Sequence, residues 1–193
     1  PFYNETPRIF DEVLAQFAEV SGRTYRPFDY VGAPGAERVV VLMGSGCGAA
    51  EECVRRLVDE GQSVGMIKVR LYRPFSASAL VAALQGSVKA IGVLDRTKEP
   101  GAVGEPLYED VVTALHEEWP EGKAFPRVAG GRYGLSSKEF TPAMVRGVFE
   151  ELGSPKPRKH FTVGIHDDVT RLSLPWEPEW STEPPDVRRA VFF

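Results

Sequence analysis

Gly44, Ser45, Gly46, Cys47, Gly48 and Ala49 follow an apolar run and open a helical pattern, in the G-x-G-x-x-A order of a dinucleotide-binding turn. Glycines at those places let a pyrophosphate approach the helix N-terminus. The acid that would hold a ribose 2′-hydroxyl at the end of the second strand is missing, and Arg70 and Arg73 stand there instead. Gly44, Ser45 and Gly46 are therefore candidates for contact with NADP, an arginine meeting its 2′-phosphate. The competing reading is structural: a strand-to-helix turn in any α/β domain favours small residues, so that the helix packs close. Cys47 falls at the helix N-terminus, where the dipole lowers a thiol pKa, but no histidine is near it in sequence to serve as a base.

Asp95, Arg96, Thr97, Lys98, Glu99, Pro100 and Gly101 stand at the carboxyl end of a predicted central strand, the usual ligand crevice of an open sheet. Arg96 and Lys98 are suited to a carboxylate or phosphate. The alternating charges are equally suited to pairing among themselves at a domain interface, and that reading is preferred. His116 falls near a helix end, and His160 and His166 flank a short strand; all three read as structural or solvated. Asp167 and Asp168 are adjacent and would point to opposite sides of a strand, so a turn or cap suits them better than an acid/base dyad. Cys47 and Cys53 form no CxxC and join no His/Cys cluster, so zinc and iron–sulfur sites lack a ligand set. With no P-loop and no nucleophile–base pair, no catalytic residue and no metal site is expected.

The elements that position these residues follow from apolar periodicity. Residues 8–20 carry Ile9, Val13, Phe17 and Val20 at helical spacing, with Thr6 as cap and Pro7 in the first turn. Residues 21–35 read as a loop anchored by Tyr25, Phe28 and Tyr30. From there strands at 38–43, 64–69, 89–94 and 124–129 alternate with helices at 49–60, 77–84, within 101–118 and at 141–152; a short strand at 161–165 closes the series. Such alternation predicts an α/β, three-layer αβα sandwich around a mainly parallel, Rossmann-like sheet. The predicted organisation is an N-terminal helix and loop over 1–36, the α/β domain over 37–174, and a linker over 175–193 anchored by Trp176 and Trp180.

A net charge of −4 over 193 residues, with the signs interspersed, argues against a nucleic-acid partner. No apolar run reaches the roughly 18–20 residues of a membrane span, and no signal-like start is present. A soluble, reduced, cytoplasmic setting is expected. The sequence starts at Pro1 and stops within Ala190-Val191-Phe192-Phe193, which reads as the opening of a further strand, so a piece of a longer polypeptide is expected.

Four segments, LYRPFS (71–76), LDRTKEPGAVGEPLY (94–108), GGRYGLSSKEFTP (130–142) and HFTVGIHDDVT (160–170), closely resemble pyruvate:ferredoxin (flavodoxin) oxidoreductases. The resemblance runs from about residue 3 to 193. It implies the family's second domain, which is similar to the C-terminal domain of transketolase. The parent enzyme would convert pyruvate and coenzyme A to acetyl-CoA and CO₂ and pass electrons to ferredoxin or flavodoxin. It would use thiamine diphosphate with Mg and 4Fe–4S clusters, all held by other domains. No catalytic residue carries over. The polar loops then become docking surfaces for sibling domains or a second subunit of a homodimer, with Tyr72, Arg73, Phe75, Arg96 and Tyr133 as anchors.

Overall fold

The computed structural model describes residues 2–166, 168–184, 186–188 and 190. Its elements are α1 (Phe2–Ser21), β1 (Phe28–Gly32), β2 (Arg38–Met43), α2 (Gly46–Asp59), β3 (Val64–Val69), α3 (Ala77–Ala83), β4 (Ala90–Asp95), α4 (Pro106–Glu118), β5 (Arg127–Arg132), α5 (Pro142–Gly153) and β6 (His160–Thr162). The strands form one sheet in the order β1-β3-β2-β4-β5-β6. All neighbours run parallel except β1, which lies antiparallel on β3 from Phe28↔Val69 to Gly32↔Gly65.

Strand period divides the apolar residues between two cores. In β2, Val40 and Leu42 face one side with Met66 of β3 and Leu94 of β4, where α2 and α5 cover them. Val39 and Val41 face the other with Ile67, Ile91 and Val93, under α3 and α4. Burial on both faces makes each central strand read as a continuous apolar run, as a covered parallel sheet requires. This is the expected α/β sandwich with a mainly parallel sheet. The helix packing is close: a Cβ on Gly92 would lie 3.2 Å from Leu152 of α5.

Several boundaries differ from the sequence reading. The helix expected over 8–20 begins at Phe2, with Pro7 inside it and Thr6 donating back to the Phe2 carbonyl at 3.1 Å, so neither residue caps it. Proline's φ suits a helix, and this early its missing N–H leaves a carbonyl of the first turn without its bond. Part of the expected loop at 21–35 is β1. Its residues FDYVG show no alternation, because Asp29 pairs with Arg70 across the strand end and Tyr30 lies over Gly65, donating to the Ala33 carbonyl at 2.6 Å. β5, expected at 124–129, spans Arg127–Arg132 and runs through the Gly130–Gly131 pair. A Cβ on Gly131 would lie 2.3 Å from the Phe161 ring and 2.6 Å from Leu94. The strand expected at 161–165 is the shorter β6.

Beyond β6, Trp176 and Trp180 pack on the α2/α5 core, and a Cβ on Gly147 would come within 2.6 Å of the Pro175 carbonyl. The strand read at 190–193 lies outside the described residues except for Ala190. Overpacking the site where β4, β5 and β6 meet has a checkable cost: Gly131→Ala is expected to lower stability by about 1–3 kcal/mol, measured by urea denaturation.

Candidate functional site

β2 is followed by α2 on one face and β4 by α4 on the other, so the loops leaving these adjacent strands diverge. Where connections diverge at the carboxyl ends of parallel strands, open α/β sheets hold ligands. A crevice of about 280 Å³ opens there, lined by Ser45, Gly46, Arg96, Tyr133, Gly134 and Phe140. Gly44, which takes φ +75°, turns the chain from β2 into α2.

The second glycine of the fingerprint serves a side chain. A Cβ on Gly46 would lie 2.6 Å from the Tyr133 hydroxyl and 2.8 Å from its ring. The ring fills the space under the turn that a pyrophosphate would approach. Tyr133 is 2% exposed, packs at 4.2 Å against the tilted Phe140 ring, donates to the Met43 carbonyl at 3.3 Å, and has its hydroxyl pKa pushed up to about 12 by burial. It is therefore the floor of the crevice, a correction to its expected role as a projecting anchor. Arg96 closes one side, donating through Nη1 to Ser45 Oγ at 3.1 Å and through Nε to the Gly134 carbonyl at 3.4 Å. The crevice thus brings together Ser45, Gly46 and Arg96, while Gly44 precedes them in the turn and Lys98 stands exposed, both outside its lining.

The arginines needed by the NADP reading are engaged elsewhere. Arg70 pairs with Asp29 and lies 4.3 Å over the Tyr25 ring. Arg73 pairs with Asp110 at 2.8 Å and lies 3.9 Å over the Tyr72 ring. With the space below Gly46 taken, the geometry does not favour that alternative. Tyr72 and Phe75 are half-buried, and Phe75 meets Phe28 edge-on at 5.3 Å, so part of each ring already serves this chain's own core.

Asp95 at the end of β4 is 2% exposed and reaches the first turn of α4, accepting from the Leu107 N–H at 3.0 Å and the Tyr108 N–H at 3.1 Å. It satisfies two amides that the helix leaves open. Burial pushes its carboxyl above the usual range, against the lowering effect of those two bonds. Glu105 is likewise buried and pairs with Arg132 at 2.9 Å. Neither pairing was legible, because cap and helix are separated by the loop at 96–105.

The remaining reactive side chains stand apart. Burial raises the Cys47 thiol, opposite in direction to a helix-dipole effect, and its sulfur lies 3.6 Å from the Leu42 carbonyl. Cys53 is fully buried and its thiol is raised further by desolvation. His116 is exposed in the last turn of α4, His160 meets Tyr108 at 5.2 Å, and His166 lies 6.3 Å from Trp176. Asp168 accepts from the Thr170 N–H at 3.0 Å as a turn residue; Asp167 lies outside the described residues. Among the described residues no group of three or more His, Cys, Asp or Glu could hold a metal ion, and no helix is long and apolar enough to cross a membrane. A roomier groove of about 530 Å³ lies at the amino end of β5, where β6 leaves the strand unpaired. Lys156 and Lys159 line it, as charged residues beside an open edge do.

Residues 36–136 match the family model described as pyruvate:ferredoxin oxidoreductase core domain II. The pyruvate-flavodoxin oxidoreductase of Trichormus variabilis is 53% identical over 193 residues, and the pyruvate:ferredoxin oxidoreductase of Moorella thermoacetica 54% identical over 193 residues. Each alignment takes in 100% of this chain and 16% of the relative, so the chain spans about one-sixth of their length. A solved 2-oxoglutarate:ferredoxin oxidoreductase from Magnetococcus marinus aligns with TM-score 0.47 and 22% identity over 71% of this chain and 21% of that one.

The buried carboxyl gives a pH-dependent test. Because its folded pKa is raised, Asp95 favours folding most at acid pH, and that contribution declines as pH rises through the folded value. Asp95→Asn removes the titration and one acceptor. The variant is expected to be about 1–3 kcal/mol less stable at pH 7, with the gap to wild type widening toward pH 4.5, read from urea midpoints at the two pH values.

Proposed function

The chain belongs to the pyruvate:ferredoxin oxidoreductase family, within its core domain II, and from that premise we propose that it is a non-catalytic structural domain of a thiamine-dependent 2-oxoacid oxidoreductase. The parent enzyme would decarboxylate pyruvate in the presence of coenzyme A, yielding acetyl-CoA and CO₂ and reducing ferredoxin or flavodoxin. The observation that carries the structural role is the crevice at the sheet's switch point: Tyr133 floors it and Arg96 ties its two loops together. A domain of this topology that bound a cofactor would leave that space open.

The cofactors implied for the parent do not fit the residues present. A 4Fe–4S cluster takes four thiolates, whereas this chain has Cys47, half-buried, and Cys53, sealed in the core. Thiamine diphosphate with Mg and coenzyme A would sit on other domains of the same polypeptide, and no step of the reaction is routed through residues of this one. In this reading 37–174 form the body of the α/β unit, β1 adds an edge strand to it, and 1–27 and 175–193 are connections to its neighbours. Two unpaired cysteines suit a cytoplasmic enzyme.

In this reading the exposed loops after β3 and β4 meet sibling domains or the second subunit of a homodimer. Arg73, Arg96, Tyr72 and Phe75 supply the contact, the aromatic rings through the parts of their surface left open. Arg73→Ala in the full-length enzyme is expected to weaken assembly in sedimentation velocity and to leave the melting temperature of the 193-residue chain within about 2 °C of wild type; Arg96→Ala is expected to weaken assembly as well and, losing its bonds to Ser45 and Gly134, to lower that temperature further. Unaltered assembly would sink the docking role.

A second measurement separates this reading from a nucleotide-binding module. Titration of the chain with NADPH, coenzyme A and thiamine diphosphate is expected to give no binding at micromolar concentrations. A low-micromolar NADPH complex, about −8 kcal/mol, would overturn the structural role in favour of a Rossmann-type site.

A further inference from the structure

None of the described side chains of α1 (Phe2–Ser21) is buried. Phe2, Tyr3, Ile9, Val13, Phe17 and Val20 are all exposed, Val20 at 90%. At about 100° per residue, Ile9, Phe10, Val13, Leu14 and Phe17 fall within one half of the helix circumference. Glu5, Arg8, Asp11, Glu12 and Glu19 fall within the other. Phe17, near the middle of the apolar half, stacks on Tyr25 at 5.9 Å, and Phe10 and Leu14 are half-buried, while Ile9, Val13 and Val20 stay exposed. In proteins most helical stability comes from packing an amphipathic face against something else.

We propose that the apolar half of α1 docks into a cleft on another domain of the same, longer polypeptide, with Ile9, Val13 and Val20 as its anchors. The proposal rests on the reading of this chain as one domain of a multidomain oxidoreductase. Relatives at 53% and 54% identity align over the whole chain, α1 included, yet the chain is only 16% of their length. The core-domain match begins at residue 36, after α1 and β1. The helix therefore lies outside the matched domain and inside a polypeptide with ample surface elsewhere to cover it.

Charge and shape choose among occupants. The polar half carries Glu5, Asp11, Glu12 and Glu19 against Arg8, and Arg8 is held between Glu5 at 2.9 Å and Glu12 at 2.6 Å. Anionic bilayers repel such a helix, whereas surface-binding helices are rich in Lys and Arg. An apolar face half a circumference wide exceeds the narrow seam that a second copy of the same helix would cover. A two-walled cleft on a larger body fits it.

Ile9→Glu/Val13→Glu tests this in two settings. In the 193-residue chain neither side chain is buried, and the thermal midpoint is expected to stay within about 2 °C of wild type. In the full-length polypeptide, undocking exposes the connection between α1 and β1, and tryptic cleavage at Arg23 is expected to quicken about tenfold or more. Ile9→Leu is expected to keep wild-type protection. Should the double variant of the full-length protein fail to accumulate, Val20→Glu alone is read in the same way. Unchanged cleavage at Arg23 overturns the proposal. So does a wild-type chain that sediments as a dimer dissociated by the double variant, or one that floats with phosphatidylserine-containing vesicles. Pyruvate- and coenzyme A-dependent reduction of methyl viologen is measured on the same full-length preparation. Absent turnover with faster cleavage removes the oxidoreductase reading and leaves the docking. Normal turnover with unchanged cleavage removes the docking alone.

Discussion

The contact between the Tyr133 ring and the backbone at Gly46 governs the carboxyl end of the sheet. Tyr133 follows β5 and its ring lies under the first turn of α2, so two elements distant in sequence share one van der Waals surface. Its hydroxyl spends its hydrogen on the Met43 carbonyl at the end of β2, which satisfies a buried donor. Arg96 then crosses above, from the loop after β4 to Ser45 and Gly134. A glycine pattern that elsewhere admits a phosphate here admits a side chain, and the same geometry that suits a nucleotide site becomes a solid joint.

That joint depends on the two-sided core beneath it. α2 and α5 seal one face with Ala50, Val54, Leu57, Val148 and Leu152, and α3 and α4 seal the other with Leu80, Leu107, Val111 and Leu115. Burying a side chain of this kind stabilises by about 1.5–3 kcal/mol. With both faces committed, the surfaces left for partners are the loop rim, the outer faces of helices and the sheet edges. The half-buried Tyr72 and Phe75 beside exposed Arg73 are one such rim, and α1 is an outer face on which this chain lays little beyond the Tyr25 ring.

Local signals were legible in proportion to how local their causes are. β2 and β3 lie at their expected bounds, because short, mainly apolar runs between polar flanks need no partner to be recognised. The start of α5 followed from Thr141 and Pro142, and the Thr141 hydroxyl does accept the Met144 N–H at 3.3 Å. β1 was missed since its residues become a strand only by pairing with β3, which comes more than thirty residues later. β5 runs past its expected end at residue 129 through Gly130 and Gly131, and the Phe161 ring that requires Gly131 arrives from a distant element. Ser45, Gly46 and Arg96, which meet at the crevice, stand in the sequence as two separate motifs at strand ends. The occupant of the space between them is not legible there, for nothing near Tyr133 in sequence says that it folds under Gly46.

The bonds from Asp95 to the first turn of α4 bear on how such domains diverge. Together with the Glu105–Arg132 pair they pin both ends of the segment at 96–105 to the sheet. Between two fixed posts, doubling the length of a loop adds only about 0.6 kcal/mol of closure entropy. Insertions and deletions between the posts are thereby uncoupled from the core, and this stretch is free to be rewritten to suit a changing neighbour while β4 and α4 stay where they are.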